Sequence, residues 1–340
     1  MAPRVNIGVI GGGRIGRLHA QNLSTRIAGA TVVAVADIVP EAAEKLAQEL
    51  RIGAAYGDPR AILEDPAVDA VAICSSTDTH AGLIEAAAAA GKHIFCEKPI
   101  ALDLGAIDRA LAAVERAGVK LQVGFNRRFD PSFRRVRDLV ATGKVGTPHL
   151  LRITSRDPAP PPLSYVRVSG GLFLDMMIHD FDTARYLMGA EVEEVYAAAS
   201  VLVDPAIGQA GDVDTAAVTL RFAGGALGVI DNSRRAVYGY DQRVEVFGSG
   251  GMALATNRTP DAVVYSDGDG VHAALPLYFF VERYSQAYVA EMEAFVAAIA
   301  EDREPPVTGR DGRLPVVMAY AAIKSYAEHR PVRLSEVDAG

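Results

Sequence analysis

Between residues 4 and 124, short apolar runs alternate with longer alanine-rich amphipathic stretches, and this alternation constrains the fold more than any other feature. The strand candidates lie at 5–10, 31–36, 70–74, 93–95 and 121–123, and the helix candidates lie near 14–27, 40–50, 79–90 and 103–117. Each strand candidate is apolar throughout and needs cover on both faces. We therefore predict an α/β fold in which helices cover both sides of a doubly wound parallel sheet.

After residue 125 the strand candidates become longer and alternate in polarity, near 148–155, 192–203, 213–222, 226–235 and 242–248. They predict a second α+β domain built on an open, mostly antiparallel sheet. Gly224 and Gly225 separate two of these strands and indicate a hairpin turn with positive φ. Helices are expected near 171–188, 283–301 and 311–328, and the proline-dense segment 157–162 is interpreted as a stiff loop in a pocket wall.

These patterns divide the chain into domains at 1–124 and 125–340, with the last helix expected to pack back on the first domain. The composition, with 50% hydrophobic and 22% charged residues, is that of a globular protein with a sizeable core. Charges of both signs are mixed along the chain and sum to -8, which gives no reason to expect nucleic acid or an anionic membrane surface as a partner. We therefore expect a small-molecule partner.

Cysteine content and apolar run length exclude two further classes. Cys74 and Cys96 are too far apart for a CxxC pair or a thiolate zinc site, and both are predicted to be buried thiols. The longest uncharged apolar stretch, at 271–281, is about half of the ~20 residues that a membrane helix requires. The N-terminal segment lacks the pattern of a signal peptide, so a cytoplasmic location is predicted.

A glycine-rich turn follows the first strand candidate and opens a helix. Residues 11–16 read Gly-Gly-Gly-Arg-Ile-Gly and fit the pattern GxGxxG. Gly11, Gly13 and Gly16 permit a tight turn and let backbone N–H groups approach a pyrophosphate, whose charge is favoured at a helix N-terminus. Glycine turns of this kind also occur without a ligand, so the motif alone does not establish a cofactor site.

Asp37 ends the second strand candidate, about 20 residues beyond the motif, where a carboxylate accepts hydrogen bonds from ribose hydroxyls. A 2′-phosphate at this place would meet a like charge, and Ile38 offers it no cation. The sequence therefore predicts NAD rather than NADP as the cofactor. The alternative is that Asp37 is only a strand-end turn former or an N-cap.

Lys98 lies between Glu97 and Pro99, after a strand candidate and at the sheet edge where doubly wound folds bind ligands. A lone lysine at such an edge is often a solvated charge. Pro99, however, restricts Lys98 to extended geometry or holds their peptide bond cis, and either would direct the ammonium group.

The predicted helix at 171–188 has two faces. Its apolar face comprises Phe173, Met177, Phe181, Ala184 and Met188, and its polar face comprises Asp175, His179, Asp182 and Tyr186. Spacings of i, i+4 and i+7 place a carboxylate beside the imidazole. Three interpretations stay open: a solvated polar face, a base oriented by an acid, and a site for a hard metal cation. The last is the weakest, because no further histidine lies nearby.

Taken together, these segments resemble the glucose–fructose oxidoreductase/inositol dehydrogenase superfamily over nearly the whole chain. The matching segments are 96–99 (Cys-Glu-Lys-Pro), 124–130 (Gly-Phe-Asn-Arg-Arg-Phe-Asp) and 175–182 (Asp-Met-Met-Ile-His-Asp-Phe-Asp). Segments 155–158 (Ser-Arg-Asp-Pro), 169–171 (Ser-Gly-Gly) and 238–241 (Tyr-Gly-Tyr-Asp) look most like those of bacterial inositol 2-dehydrogenases.

The resemblance implies a Rossmann domain for dinucleotide binding and a second domain often used to assemble tetramers. Because the metal interpretation of the Asp/His helix is the weakest, no metal is expected in the site. The resemblance also implies that Lys98, Asp175 and His179 are catalytic and that the substrate pocket adds Asn126, Arg127, Asp157 and Tyr240. The expected cofactor contacts are Gly11, Gly13, Arg14, Ile15, Gly16, Asp37, Ser75, Thr77, His80, Glu97 and Lys98. As alternatives, Arg127 pairs with Asp130 on the surface, and Tyr240 is a half-buried strand aromatic.

The function implied is NAD-dependent oxidation of a secondary hydroxyl of a cyclic polyol, above all myo-inositol to its 2-keto form. His179 would act as general base near neutral pH, and Lys98 would stabilise the developing alkoxide. Two alternatives stay open. One is a dehydrogenase of scyllo-inositol or an aldose in the same superfamily, and the other is a non-catalytic NAD-binding sensor or regulator.

Overall fold

The computed structural model describes residues 4–338, which form two compact units. The first unit runs to Phe129 and takes up the chain again at Gln286–Leu314. The second unit consists of Asp130–Ser285 and the chain from Pro315 onwards. The sequence placed one boundary near 124; the structure has its first boundary five residues later and adds two further crossings between the units.

The first part of the chain alternates strands and helices. The strands are β1 (Val5–Ile10), β2 (Ala30–Ala36), β3 (Ala54–Tyr56), β4 (Ala70–Ile73), β5 (His93–Glu97) and β6 (Leu121–Gly124). The helices are α1 (Arg14–Thr25), α2 (Pro40–Leu50), α3 (Arg60–Leu63), α4 (Thr77–Ala89) and α5 (Leu104–Ala117). Within the described residues the strand order is β3-β2-β1-β4-β5-β6 and the pairs are parallel, which confirms the doubly wound sheet.

The parallel pairing brings the ligand-binding motifs to one edge of this sheet. All four residues of β4 are buried, as a strand covered on both faces requires. The carboxyl ends of β1, β2 and β4 are tied together, since Gly11 N donates to Ala36 O at 2.8 Å and Cys74 N donates to Ile10 O at 2.7 Å. The turns that follow these strands are therefore neighbours.

The second part of the chain is richer in strands. They are β7 (Pro148–Arg156), β8 (Val192–Ser200), β9 (Thr215–Phe222), β10 (Leu227–Ser233), β11 (Asp241–Gly248), β12 (Gly251–Ala255), β13 (Val264–Ser266), β14 (Val271–Ala273) and β15 (Val332–Arg333). The helices are α6 (Pro131–Ala141), α7 (Leu163–Val166), α8 (Ile178–Met188), α9 (Pro205–Gln209) and α10 (Phe280–Arg283). A 3-10 turn at Asn126–Phe129 closes the first stretch of the first unit, and a π turn at Leu172–Met176 precedes α8.

Seven of these strands form a sheet in the order β12-β11-β7-β10-β9-β8-β15 within residues 4–338. Only the β7–β10 pair of this sheet is parallel, so the prediction of a mostly antiparallel sheet is confirmed. Burial alternates along its strands, as in β9, where Val218 and Leu220 are buried and Thr219 and Arg221 are exposed. The predicted hairpin turn is confirmed, since Gly224 and Gly225 have φ of 88° and 92°.

Two long helices close the chain, α11 (Ser285–Ala300) and α12 (Gly309–Glu328). Helix α11 supplies Met292, Phe295 and Val296 to the hydrophobic core of the first unit. The part of α12 from Pro315 onwards belongs to the second unit, where Ser325 Oγ accepts a hydrogen bond from Ala197 N at 2.9 Å. Helix α11 and the first turns of α12, up to Leu314, belong to the first unit, so the expectation for the last helix holds for its beginning only.

Both cysteines are free thiols, Cys96 buried and Cys74 partly buried. Burial, together with the nearby Glu97 carboxyl group, raises the pKa of both. Among residues 4–338, no helix has the length and apolar character needed to cross a membrane.

Candidate functional site

The glycines of the turn after β1 differ in whether the fold leaves space for a side chain. Gly11 has φ of 101°, and a Cβ at Gly16 would lie 1.8 Å from Gly11 O, so packing within the chain requires both glycines. A Cβ at Gly13 would meet no described atom within 4 Å. Gly13 is exposed and caps α1, so the space beside it is open to a ligand.

The other predicted contacts of this turn, Arg14 and Ile15, are the first residues of α1. Hydrogen bonding along α1 starts where Arg17 N donates to Gly13 O at 2.9 Å. The N–H groups of the first turn precede this ladder, which is the arrangement of anion-binding helix N-termini.

Asp37 ties the end of β2 to the glycine turn. Its Oδ2 accepts a hydrogen bond from Gly12 N at 2.6 Å, and its Oδ1 accepts one from Val39 N at 2.8 Å. The turn-forming alternative is therefore observed, whereas the N-cap of α2 is Val39 and not Asp37. The side chain remains partly exposed beside Ile38, which is 90% exposed, and its contact with ribose stays a prediction.

Three predicted cofactor contacts lie at or beyond the end of β4. Ser75 Oγ is 2.6 Å from Thr79 Oγ1, and Thr77 is the first residue of α4. His80 is buried, with Nε2 at 3.1 Å from Ser75 O and Nδ1 at 2.8 Å from Pro99 O. The imidazole thus joins the segment after β4 to the segment after β5, and direct contact of these residues with NAD stays a prediction.

Lys98 immediately follows β5, is partly exposed, and forms a cis peptide bond with Pro99. The preceding Glu97 contacts α1, since its Oε1 lies 2.7 Å from His19 Nε2. The structure therefore brings together Glu97 and His19, a contact that the sequence did not indicate.

Asn126 and Arg127 lie in the 3-10 turn after β6 and are buried, 3% and 4% exposed. The surface position of the alternative Arg127–Asp130 pair is wrong, since both side chains are buried. Asp130 is itself 1% exposed, and its Oδ2 binds Arg283 NH1 at 2.5 Å while its Oδ1 caps α6. Two buried polar residues at this turn are consistent with a polar ligand pocket.

The predicted helix at 171–188 is two elements. Its first turn is a π turn in which Met177 N donates to Leu172 O at 2.9 Å, and α8 follows. π turns of this kind are frequent at functional sites. The solvated polar face is wrong, because Asp182 is 0% exposed, as is Asp180, whose Oδ2 accepts a hydrogen bond from Asn232 on β10. Asp175, His179 and Tyr186 are partly exposed.

Two residues that sequence reasoning missed hold the Asp175 carboxylate. Tyr165 OH, on α7, donates to Asp175 Oδ1 at 2.9 Å, and Arg234 NH1 donates to Oδ2 at 3.2 Å. Arg234 NH1 also lies 3.5 Å from Asp157 Oδ2, so one guanidinium bridges two predicted site residues. A signal for Arg234 existed, since positions 228, 230 and 232 of β10 face inward and 234 continues that period.

Arg234 is 3% exposed, and its charge is retained by its neighbours. Burial alone would lower the pKa of this guanidinium, but the carboxylates of Asp175, Asp157 and Asp212 outweigh it and raise the pKa. Burial of the hydroxyl and the Asp175 carboxylate raise the pKa of Tyr165. Both groups therefore remain hydrogen-bond donors to Asp175 over the physiological pH range.

The remaining predicted pocket residue, Tyr240, immediately precedes β11 and is 7% exposed. Its ring packs edge-on against Tyr284, with centroids 6.1 Å apart. The half-buried strand aromatic expected as its alternative is therefore not observed. Its contact with substrate stays a prediction.

Comparisons with known proteins cover both units. The profile of the oxidoreductase family with an NAD-binding Rossmann fold matches residues 5–125, and that of the GFO/IDH/MocA C-terminal domain matches 133–254. Myo-inositol 2-dehydrogenase of Thermotoga maritima is 54% identical over 333 residues, 98% of this chain and 99% of that protein. Inositol 2-dehydrogenase of Rhizobium meliloti is 48% identical over 336 residues, 97% of this chain and 99% of that protein.

A solved structure adds a ligand-bound relative. The crystal structure of scyllo-inositol dehydrogenase from Lactobacillus casei with bound NAD(H) and scyllo-inositol has a TM-score of 0.91 and 32% identity, and the match covers 98% of this chain and 99% of that one. The family resemblance, the Rossmann domain and NAD as the cofactor are thereby confirmed. The chain belongs to the GFO/IDH/MocA family of oxidoreductases.

Proposed function

We propose that this protein is an inositol 2-dehydrogenase that oxidises myo-inositol to its 2-keto form with NAD as hydride acceptor. The observation that carries the proposal is 54% identity over 98% of the chain to a myo-inositol 2-dehydrogenase. The polar cluster of Asp157, Asp175 and Arg234 supports it, because a cyclic polyol offers hydroxyl donors and acceptors around its ring.

The proposed reaction moves one hydride and one proton. NAD supplies the hydride acceptor when bound. His179 accepts the hydroxyl proton as general base, and Lys98 donates a hydrogen bond to the reacting oxygen and stabilises its developing charge. Asp175 orients His179 or binds a neighbouring hydroxyl, and it is preorganised by the donors from Tyr165 and Arg234.

In the same proposal, the other pocket residues bind the substrate ring. Asn126 and Arg127 are buried donors, Asp157 is a partly buried acceptor beside Arg234, and Tyr240 supplies an aromatic wall. On the cofactor side, Gly13 leaves room for the pyrophosphate, and Asp37 accepts from the ribose hydroxyls.

Replacement of His179 tests the assignment. His179→Ala should lower kcat for myo-inositol by at least ~10²-fold, the low end for a positioned proton-transfer group, while the Kd for NAD stays unchanged. His272→Ala, on the exposed hairpin strand β14, is the matched control and should keep wild-type turnover. Near-wild-type kcat in the His179 variant contradicts the role of the imidazole.

Two other functions are distinguished by the same assay. Because the L. casei relative has scyllo-inositol bound, the assay should compare scyllo-inositol and aldoses with myo-inositol as substrates. NADH absorbance measures the rate with each substrate. A higher kcat/KM for another substrate would replace myo-inositol in the proposal. NAD binding without turnover of any polyol would support the sensor alternative.

We also propose that copies of this chain assemble, as a tetramer, through the exposed face of the seven-stranded sheet. That face carries exposed apolar side chains on four of its strands: Tyr196, Leu227, Val229, Phe247, Met252 and Leu254. Apolar patches of this kind mark interaction surfaces. Sedimentation equilibrium measures the assembly, and a monomer at all concentrations contradicts it. The cytoplasmic location stays a prediction.

A further inference from the structure

Three titratable side chains meet inside the first unit, and only one of them, Glu97, was placed in the site by the sequence. They are His19 on α1, Glu97 at the end of β5 and Glu291 on α11, and one side-chain nitrogen or oxygen atom of each lies within 4.8 Å of those of the other two. His19 and Glu291 are 0% exposed. His19 Nε2 is 2.7 Å from Glu97 Oε1. We call these three residues the His19 cluster.

Glu291 has an environment that does not suit an ionised carboxylate. Neither of its side-chain oxygens has a hydrogen-bond partner among the described residues. The titratable groups that face it are His19 from α1, Glu97 from β5 and the Cys74 thiol after β4. Burial, and then the negative charge of Glu97, raise the pKa of Glu291 well above its ordinary value.

A protonated Glu291 removes this difficulty, since it becomes a hydrogen-bond donor in a cluster rich in acceptors. Glu97 offers carboxylate oxygens, and His19 Nδ1 is buried with no hydrogen-bond partner among residues 4–338. In the tautomer that directs Nε2–H to Glu97, the imidazole has an acceptor at Nδ1. A proton on Glu291 therefore has acceptor atoms of the other two residues nearby, within 4.8 Å.

We propose that Glu291 is a neutral carboxylic acid whose proton is shared within the His19 cluster, and that the cluster positions the Glu97–Lys98 segment for catalysis. On the other side of Lys98, His80 Nδ1 holds Pro99 O at 2.8 Å. One histidine thus holds the side chain of the residue before the lysine, and the other holds the backbone carbonyl of the residue after it. The catalytic part of this inference rests on the proposed function, in which Lys98 contacts the reacting oxygen.

A metal ion is the competing explanation of a His and two Glu residues, and the distances disfavour it. Zinc ligands at about 2.0–2.2 Å in tetrahedral geometry lie about 3.3 Å apart. His19 Nε2 and Glu97 Oε1, at 2.7 Å, are instead at hydrogen-bond distance. The contact therefore favours a proton between them over a metal ion.

The test compares Glu291→Gln, Glu291→Ala and Glu293→Gln in the full chain. Gln keeps a neutral donor of the same shape, Ala removes it, and Glu293 is an exposed glutamate on the same helix that serves as control. Infrared spectra recorded as a function of pH report a protonated carboxyl group directly. Thermal melts across the pH range report the proton linkage, and NAD binding and inositol kinetics report the effect on Lys98.

We expect a protonated-carboxyl band at neutral pH in the wild type and in Glu293→Gln, and its loss in Glu291→Gln. Because the folded state binds this proton more tightly, wild-type stability falls as pH rises above the ordinary pKa of Glu. The Tm of Glu291→Gln should therefore rise relative to the wild type towards high pH. Glu291→Ala should lower kcat by about 10- to 100-fold with little change in the Kd for NAD, and Glu291→Gln should restore it.

Three results would overturn the inference. They are the absence of the band at neutral pH, equal kcat losses in Glu291→Gln and Glu291→Ala, and a stoichiometric divalent metal in the purified protein that Glu291→Gln abolishes. If the wild type fails to oxidise any polyol, the proposed function is wrong, whereas the infrared band and the pH dependence of Tm still decide the state of Glu291.

Discussion

Arg234 offers the sharpest test of how the second unit organises its carboxylates. Its guanidinium is 3.2 Å from Asp175 Oδ2 and 3.5 Å from Asp157 Oδ2. Arg234→Met keeps much of the side-chain volume and removes the charge, so both carboxylates lose their shared cation. We expect lower stability and, because Asp175 is no longer held from that side, lower kcat.

The magnitude follows from the burial of the three side chains. Removing one partner of a fully buried ion pair costs about 3–5 kcal/mol. The side chain of Arg234 is 3% exposed, but those of Asp175 and Asp157 are 12% and 23% exposed, so water compensates in part. Asp175 also keeps the hydrogen bond from Tyr165. We therefore expect Arg234→Met to lower the free energy of unfolding by about 2–3 kcal/mol.

Urea unfolding followed by circular dichroism measures this difference, with Arg235→Met as the control. Arg235 is the exposed neighbour of Arg234, and its replacement should cost less than about 0.5 kcal/mol. In the double variant Arg234→Met/Asp175→Asn, the losses should be less than additive by about 1 kcal/mol or more. An Arg234 variant as stable as the Arg235 control, or strict additivity in the double variant, would refute the reasoning.

The glycines and one buried aspartate give two further predictions. Gly16→Ala should destabilise the fold by more than about 2 kcal/mol in urea unfolding, because its Cβ would lie 1.8 Å from Gly11 O. Gly13→Ala should be as stable as the wild type but should bind NAD more weakly, as measured by calorimetry. Equal losses of stability in the two variants would contradict the distinction. The Asp214 carboxylate accepts three backbone N–H groups at 2.8, 2.9 and 3.0 Å, which outweigh its burial and lower its pKa. The stability that the ionised carboxylate contributes is fully present above the ordinary pKa of Asp and is lost as pH falls through the lowered pKa. Asp214→Asn should therefore lower the free energy of unfolding by about 1–3 kcal/mol at neutral pH and by progressively less in acid. A loss of stability that does not depend on pH would contradict the ionised state.

The sheets could be predicted because their strands carry strong local patterns. The apolar run of β1 was placed with its observed limits, and the glycine pair at 224 and 225 located a hairpin. Short elements were not predicted, because a strand such as β3 has only three residues of intermediate burial and shows no periodicity. Helix α6 was missed although Asp130-Pro131 is a start signal, with Asp130 accepting from Ser132 N and Phe133 N.

Reasoning from the residues alone indicated only those parts of the candidate site whose members are close in sequence, and the family resemblance added the remaining predicted residues. The glycine turn, Glu97-Lys98-Pro99 and the Asp175–His179 spacing are local patterns, and each can be recognised in the sequence. Arg234 was not found, because its partner Asp175 is remote in sequence and a second arginine follows directly at 235. The sequence alone does not show which of the two adjacent arginines is buried. The alternation of buried residues along β10, known from the structure, identifies the first.

Two carboxyl groups, the partly exposed Asp175 of the second unit and the buried Glu291 of the first, have opposite environments. Asp175 receives a guanidinium N–H and a phenolic O–H, and both favour the ionised form. Glu291 instead faces a second carboxyl group, and neither of its oxygens has a hydrogen-bond partner among the described residues, which favours the neutral form. An ionised Asp175 can orient an imidazole and accept a substrate hydroxyl. A neutral Glu291 has one O–H donor, keeps its carbonyl oxygen as an acceptor, and places no second negative charge beside Glu97.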